Sequence, residues 1–246
     1  MLGRGNPQVA WCIHLLTASG LVIGLLALTA AMDGRATTAI LWLLAAQVVD
    51  GIDGPLARAF KVNEALPKID GNALDLVVDF VTCVVVPVVM LERFHLLPHS
   101  LSLPAAALVL CTTALWFART DMCTSDHWFN GFPGEWNLVV PTLLLLGTGR
   151  WFNLAVVVGC AVLSLTSIKF VHPVRVDEQR GLTLAMTTAW LVALAWLTAD
   201  LPHGHRPLEA RAVLVLAPCY FGWLTIRRTF RAHANGVSFR LALAGD

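Results

Sequence analysis

Long apolar runs separated by short polar segments dominate this sequence, and their lengths predict helices that cross a membrane. A helix needs about 20 apolar residues to span the hydrocarbon core of a bilayer. The candidate runs lie at residues 9–32, 36–57, 71–92, 100–118, 134–149, 151–169, 181–199 and 208–226. The fifth and sixth runs are nearly continuous, so these two could instead form one bent element. We therefore predict an all-α integral membrane protein with about eight transmembrane helices, forming a single domain over residues 1–246.

The composition points to the same class of protein. Hydrophobic residues make up 57% of the chain and charged residues only 13%, about half the charged share of an ordinary soluble domain. A soluble enzyme of this length would need more polar surface to cover its core. The net charge of +1 gives no reason to expect a nucleic-acid partner. The cysteines lie mostly in apolar runs, and none are spaced as in a CxxC motif, so we interpret them as small core residues.

The basic residues predict the orientation of the chain in the membrane. Lysine and arginine are enriched in the loops on the cytoplasmic side. With the N-terminus inside, the inside set is Arg4, Arg58, Lys61, Lys68, Arg119, Lys169, Arg175, Arg180, Arg227, Arg228, Arg231 and Arg240, and the outside set is Arg35, Arg93, Arg150, Arg206 and Arg211. This imbalance predicts that both termini are cytoplasmic and that the number of spans is even. If the fifth and sixth runs formed one span, the C-terminus and the basic residues Arg227, Arg228 and Arg231 would lie outside, which fits this rule less well.

Carboxylates occur inside two of the apolar runs, where they are costly. Asp50 and Asp53 lie in the second run, and Asp75 and Asp79 lie in the third. A carboxylate in the middle of a bilayer costs about 3 kcal/mol on insertion scales. The spacings i, i+3 and i, i+4 place each pair on one helix face. Because a short cytoplasmic loop joins the two runs, we expect the pairs to converge on a polar cavity near that side.

Converging carboxylates need a counter-charge, and divalent cations are the natural one. Ligation by oxygen alone favours Mg²⁺ or Mn²⁺ over zinc or copper. A hard metal on aspartates suggests chemistry on a phosphate or diphosphate. From the carboxylates alone, a transporter that uses them as proton or ion relays is an equally good interpretation.

The residues around the aspartates favour a phosphate site. Gly54 follows the second carboxylate, and Gly71 precedes Asp75 by four residues on the same face. Glycine lets a ligand approach the helix backbone closely, although it also permits close helix packing. Arg58 lies one turn beyond Gly54 and is suited to holding a phosphate, or to anchoring the helix at the interface.

Together these residues resemble the signature of the CDP-alcohol phosphotransferases, which are integral-membrane enzymes of phospholipid synthesis. The matching residues are Asp50-x-x-Asp53-Gly54-x-x-Ala57-Arg58 and Gly71-x-x-x-Asp75-x-x-x-Asp79. The resemblance implies a core of about six helices around a polar cavity that opens to the cytoplasm. The loop from 59 to 70 is longer than is usual in the family. With the stretches 49–55, 66–71 and 126–137, it resembles the branch that contains the bacterial phosphatidylcholine synthases.

The resemblance also implies an activity and the residues for it. It implies transfer of a phosphatidyl group from CDP-diacylglycerol to an alcohol, with release of CMP, by a homodimer in a bacterial inner membrane. The branch implies choline as the acceptor and phosphatidylcholine as the product, with serine as the main alternative. Two Mn²⁺ or Mg²⁺ ions would be held by Asp50, Asp53, Asp75 and Asp79, with Asp79 also the general base. The cytidine diphosphate moiety would be bound by Gly54, Ala57, Arg58 and Gly71.

The acceptor site is predicted separately, from aromatic residues. Proteins bind quaternary ammonium groups with aromatic faces and a nearby carboxylate. The cytoplasmic stretch 116–137 is rich in both, although aromatic residues at segment ends also form interfacial belts. The headgroup candidates are Trp116, Asp126, Trp128, Phe132, Glu135 and Trp136. Glu135 departs from the aromatic or neutral residue that this branch would lead us to expect.

Two more distant alternatives remain. An intramembrane prenyltransferase also uses two aspartate-rich helices and Mg²⁺, but typically places them further apart and lacks the DGxxAR run. An ion-coupled transporter would explain the buried aspartates but not the glycines and Arg58 at this spacing.

Overall fold

Helices form nearly all of the regular structure in the computed structural model, which describes residues 5–177, 179–204 and 206–234. Arg4, Arg240 and His205 lie outside the described residues. The described residues include a π-helical stretch, Phe80–Val85, and a single 3₁₀ turn, Leu201–His203. The remaining elements are α1 (Pro7–Met32), α2 (Ala36–Ala59), α3 (Val62–Ala65), α4 (Gly71–Asp79), α5 (Val86–Arg93), α6 (His99–Phe117), β1 (Trp128–Asn130), α7 (Trp136–Leu146), α8 (Arg150–Ser164), β2 (Lys169–Val171), α9 (Arg180–Asp200) and α10 (Leu208–Ala234).

The helix lengths confirm an all-α membrane protein but reduce the number of spans. Among the described residues, 6 helical segments are long and apolar enough to cross a membrane: Pro7–Met32, Ala36–Ala59, Gly71–Arg93, His99–Phe117, Arg180–His203 and Leu208–Phe230. α7 and α8 have only 11 and 15 residues. At about 1.5 Å per residue neither reaches across a core of about 30 Å. The prediction of about eight spans is therefore corrected to six candidate spans and two shorter helices.

The fifth and sixth predicted runs form two separate helices, not one bent element. α7 ends because Gly147 adopts the left-handed conformation, with φ +66°, and its N–H bonds to the carbonyl oxygens of Leu143 and Leu144. β1 precedes α7 and β2 follows α8, and the two strands pair antiparallel. The segments that enter α7 and leave α8 therefore lie next to each other.

Local sequence signals position the helices that carry the aspartates. Asp70 caps α4, because its side chain accepts hydrogen bonds from the backbone N–H groups of Asn72 and Ala73. α4 therefore begins at Gly71 and ends at Asp79, where the π-helical stretch begins. π-Helical turns often occur at functional sites. Asp75 and Asp79 thus lie in one regular α-helical segment and share a face.

Close packing against α1 holds α4 in place. Gly20 and Gly24 of α1 face Val78 and Thr82, respectively. The largest group of buried apolar side chains includes residues from α1, α2, α5–α10 and the π-helical stretch. This core lies beneath the end of the helix bundle at which the aspartates converge.

Candidate active site

Three of the four predicted metal ligands converge. Asp50 on α2 and Asp75 and Asp79 on α4 each offer one carboxylate oxygen, and these oxygens lie within 4.8 Å of one another. All three residues are partly buried. Carboxylate oxygens at this separation suit a small divalent cation, and Mg²⁺ and Mn²⁺ prefer such ligands. We call Asp50, Asp75 and Asp79 the aspartate cluster.

Asp53 is not one of the three residues whose carboxylate oxygens lie within 4.8 Å of one another. It is only 5% exposed and lines a polar cavity of about 310 Å³, which Asp75 lines as well. Asp75 therefore belongs to both features and connects them. The expected set of four carboxylates is arranged as a cluster of three with the fourth in the neighbouring cavity.

The predicted nucleotide-binding residues all line this polar cavity. Gly54, Ala57, Arg58 and Gly71 form parts of its wall. Gly71 is packed closely: a Cβ atom there would lie 3.3 Å from Cε1 of His14. These small residues keep the wall close to the helix backbones, and Arg58 adds a positive charge to it.

The polar cavity is also lined by residues that were not predicted as site residues from the sequence. His14 and Thr17 of α1 line it, and so does Arg175, which follows β2. His14 is only 6% exposed, and within the described residues its Nε2 has no hydrogen-bond partner. In the sequence, His14 is a lone histidine in an apolar run, which is only a weak indication of a functional site. The sequence held no signal for Arg175, because its loop is far from the motif in the chain.

Side chains of both charges line the polar cavity. Arg58, Lys61 and Arg175 are cationic, whereas Asp53 and Asp75 are anionic. Cations suit the oxygens of a diphosphate, and carboxylates suit a metal ion bridging those oxygens. The lining therefore matches a ligand that carries a diphosphate with a divalent metal.

A second, mainly apolar cavity of about 440 Å³ contains two of the six headgroup candidates, Phe132 and Glu135. Phe170 and Trp190 also line it, as does Gln47. Gln47 donates a hydrogen bond to Asp50 at 3.2 Å. One part of this cavity therefore borders the aspartate cluster and combines aromatic rings with a carboxylate.

The other headgroup candidates have structural contacts instead. Trp116 donates from Nε1 to the carbonyl oxygen of Asn130 at 2.6 Å, and Trp136 donates to Oγ1 of Thr113 at 2.9 Å. Trp128 is 3% exposed. Arg228 lies over its ring at 5.3 Å and also pairs with Asp126. None of these four candidates lines either described cavity.

A histidine in the segment that carries Arg175 is neutral at physiological pH. His172 stacks on Phe129, with ring centroids 4.9 Å apart. Burial lowers the pKa of His172 to about 4. Its Nδ1 accepts a hydrogen bond from the backbone N–H of Val174 at 3.2 Å, which only a deprotonated nitrogen can do. His172 therefore supports the loop that carries Arg175 without adding charge.

Known proteins similar to this chain point to one family. Residues 13–131 match the family described as CDP-alcohol phosphatidyltransferase. The phosphatidylcholine synthase of Pseudomonas aeruginosa is 41% identical over 201 residues, covering 80% of this chain and 84% of that protein. The Mesorhizobium japonicum phosphatidylcholine synthase is 43% identical over 185 residues, covering 75% and 69%. The protein of the same name from Agrobacterium fabrum is 38% identical over 211 residues, covering 86% and 87%.

These matches extend well beyond the aspartate motif and favour this family over the prenyltransferase and transporter alternatives. The chain belongs to the CDP-alcohol phosphatidyltransferase family.

Proposed function

We propose that this protein transfers the phosphatidyl group of CDP-diacylglycerol to choline, giving phosphatidylcholine and CMP. The observation that carries the proposal is the aspartate cluster between two different cavities, one polar and cationic, the other aromatic with a carboxylate. Relatives that are 38–43% identical over most of the chain are named phosphatidylcholine synthase. Their names favour choline over serine as the acceptor.

The polar cavity binds the cytidine diphosphate moiety in this proposal. Gly54, Ala57 and Gly71 leave the backbone accessible, and Arg58 contacts a phosphate. Arg175 contributes a further positive charge from the segment after β2, which is far from the aspartate motif in the sequence. Arginine is well suited to this position because its guanidinium group binds phosphate oxygens in a bidentate manner.

Asp50, Asp75 and Asp79 would hold one divalent ion, and Asp53 with Asp75 would contribute to a second. The ions are Mn²⁺ or Mg²⁺, as the all-oxygen ligand set favours. When bound, they supply positive charge that stabilises the negative charge developing on the leaving CMP.

The protein's own groups orient the acceptor and move its proton. The choline hydroxyl oxygen forms a bond to the phosphorus of the phosphatidyl group, and the bond from that phosphorus to the bridging oxygen of CMP breaks. CMP leaves with the electron pair. Asp79, which belongs to the aspartate cluster and which the family resemblance gives as the general base, accepts the hydroxyl proton.

The second cavity binds the quaternary ammonium group of choline. Phe132 offers an aromatic face, and the Glu135 carboxylate offers the opposite charge. The same carboxylate would repel the α-carboxylate of serine. Glu135 stands where the branch is expected to have an aromatic or neutral residue, and we assign it as a specificity residue for a cation without an acidic group.

The proposed setting is the inner membrane of a bacterium, with both termini cytoplasmic and one domain forming a homodimer. Two loops assigned to the cytoplasmic side contact each other, since Arg119 donates to the carbonyl oxygen of Thr166 at 3.0 Å. Arg58 and Arg175, from two further cytoplasmic segments, line one cavity. Cysteine labelling from either side of the membrane tests the orientation, and native mass spectrometry in detergent tests the dimer.

Washed membranes from cells that express the chain test the activity. They are supplied with CDP-diacylglycerol and Mn²⁺, and CMP release is followed with choline, with serine and with no acceptor. We expect release that depends on choline and yields phosphatidylcholine. Release with serine but not choline would contradict the acceptor assignment, and no release with any alcohol would contradict the activity.

A further inference from the structure

A chain of hydrogen bonds connects Asp50 to a different helix. Gln47, one turn before Asp50 on α2, donates from Nε2 to Asp50 Oδ2 at 3.2 Å. Asn137, in the first turn of α7, donates from Nδ2 to Oε1 of Gln47 at 2.5 Å. Asn137 is only 3% exposed. The orientation of a proposed metal ligand therefore depends on a residue 90 positions away from Gln47 in the sequence.

The Asp50 carboxylate fixes the direction of this chain. An ionised carboxylate only accepts hydrogen bonds, so Gln47 must turn its amide NH₂ towards Asp50 and its carbonyl oxygen towards Asn137. Asn137 must then be the donor. Its remaining polar atom, Oδ1, is buried and has no hydrogen-bond partner among the residues that the structure describes. An aspartate at position 137 has the same shape but cannot donate when ionised.

We propose that Gln47 and Asn137 are positioning residues that hold the Asp50 carboxylate in the orientation needed to bind a divalent cation. The proposal rests on the metal site of the proposed function. Asp50 faces two carboxylates on α4, which repel it when no cation is bound. Gln47, which lies on the same helix as Asp50 and is held by Asn137 of α7, keeps the Asp50 carboxylate turned towards these two carboxylates. Losing such a partner of a metal ligand typically weakens metal binding about 10–100-fold.

The test measures metal binding without substrates, using the full chain purified in detergent. Mn²⁺ is titrated, and free Mn²⁺ is measured by electron paramagnetic resonance. The variants are Asn137→Asp, which conserves volume, Gln47→Leu, and the two combined. Thr113→Val is the matched control, because it removes the buried acceptor of Trp136 without touching Gln47.

We expect Asn137→Asp and Gln47→Leu each to raise the Mn²⁺ dissociation constant about 10–100-fold. In the Gln47→Leu background, Asn137→Asp should add less than about twofold, because Asn137 acts through Gln47. Thr113→Val should lower the unfolding temperature and leave the dissociation constant unchanged. If Asn137 only stabilised the fold, Asn137→Asp would likewise lower the unfolding temperature and leave the Mn²⁺ dissociation constant unchanged.

Two contrary results are distinguishable. If the wild type binds Mn²⁺ and both single variants bind it within about twofold of the same affinity, the positioning role is wrong and the metal site stands. If the wild type binds neither Mn²⁺ nor Mg²⁺, the metal site is wrong and the positioning role fails with it. Should Asn137→Asp not fold, Gln47→Leu alone decides between these results.

Discussion

Val78 of α4 occupies the space that Gly20 of α1 leaves free: a Cβ atom on Gly20 would lie 2.5 Å from Cγ1 of Val78. This contact sets the distance between α1 and the helix that carries Asp75 and Asp79. It connects a feature of the packing directly to the geometry of the aspartate cluster.

Gly20→Leu should therefore displace α4 and lower both stability and activity. Overpacking of this kind costs about 1–3 kcal/mol. Gly159→Leu is the control, because, among the described residues, a Cβ atom on Gly159 would meet no atom within 4 Å apart from its chain neighbours and its own helix backbone. The unfolding temperature in detergent and the rate of CMP release check this. Equal values for the two variants would contradict the role of the Gly20–Val78 contact.

Arg175→Gln should weaken binding of CDP-diacylglycerol, because it removes a positive charge from the polar cavity. A hydrogen bond to a charged group is worth about 1.5–3 kcal/mol, so we expect the KM for CDP-diacylglycerol to rise about 10–100-fold. Arg180→Gln is the matched control, since Arg180 is exposed and pairs with Asp177 at 3.9 Å. A KM for Arg175→Gln that matches the control would exclude Arg175 from the diphosphate site.

Glu135→Gln should reduce the preference for choline. The loss of the carboxylate removes the attraction to the quaternary ammonium group and the repulsion of serine. We expect the KM for choline to rise about tenfold, the effect of losing about 1.4 kcal/mol, and any activity with serine to increase. Asp177→Asn is the control for loss of an exposed acidic residue. If the choline KM is unchanged in Glu135→Gln, the acceptor does not bind beside Glu135.

His172→Asn should reduce the loss of stability in mild acid. Since burial lowers the pKa of His172 to about 4, the unfolded chain binds a proton below about pH 6.5 that the folded chain does not. The wild type should lose stability as the pH falls from about 6.5 to about 4. Asparagine cannot be protonated in this range and still offers an acceptor to Val174.

Unfolding temperatures of wild type and His172→Asn, measured across this pH range, check that expectation. The difference between the two proteins should grow in favour of the variant as the pH falls. Parallel curves would show that His172 does not titrate differently in the folded and unfolded chains.

The aspartate cluster was predictable because helical periodicity is a local rule. The spacing of Asp75 and Asp79 fixed a common face, and the short loop to α2 brought Asp50 to it. The same rule grouped Asp53 with Asp50, whereas the structure places Asp53 in the neighbouring cavity. Periodicity specifies a face but not which neighbouring group each side chain reaches.

The acceptor region was predictable only in outline. Aromatic density identified the stretch 116–137, but composition does not reveal whether a ring lines a cavity or packs in the core. Trp136 is fully buried, whereas Phe132 lines the second cavity. Arg175 reaches the site through tertiary packing of a distant segment, for which a single sequence contains no local signal. Asn137 lies at the end of the stretch 126–137, but the sequence alone leaves open whether it caps a helix or points into the site.

The number of spans was overestimated because hydropathy does not register where a helix ends. The sixth apolar run continues to 169, but α8 ends at Ser164, whose hydroxyl donates to the carbonyl oxygen of Phe132 at 3.0 Å. This contact ties the end of α8 to the segment before α7. The apolar residues beyond Ser164 therefore belong to the loop and β2.

The most direct test of the central claim is CMP release by purified Asp75→Asn and Asp79→Asn variants, compared with the wild type. Each reaction contains CDP-diacylglycerol, choline and Mn²⁺, and the unfolding temperature in detergent shows that each variant is folded. We predict choline-dependent CMP release by the wild type and none by either folded variant, because the substitutions remove a metal ligand and, at Asp79, the proton acceptor. Full activity in either variant would contradict the assignment of the aspartate cluster as the site of phosphatidyl transfer.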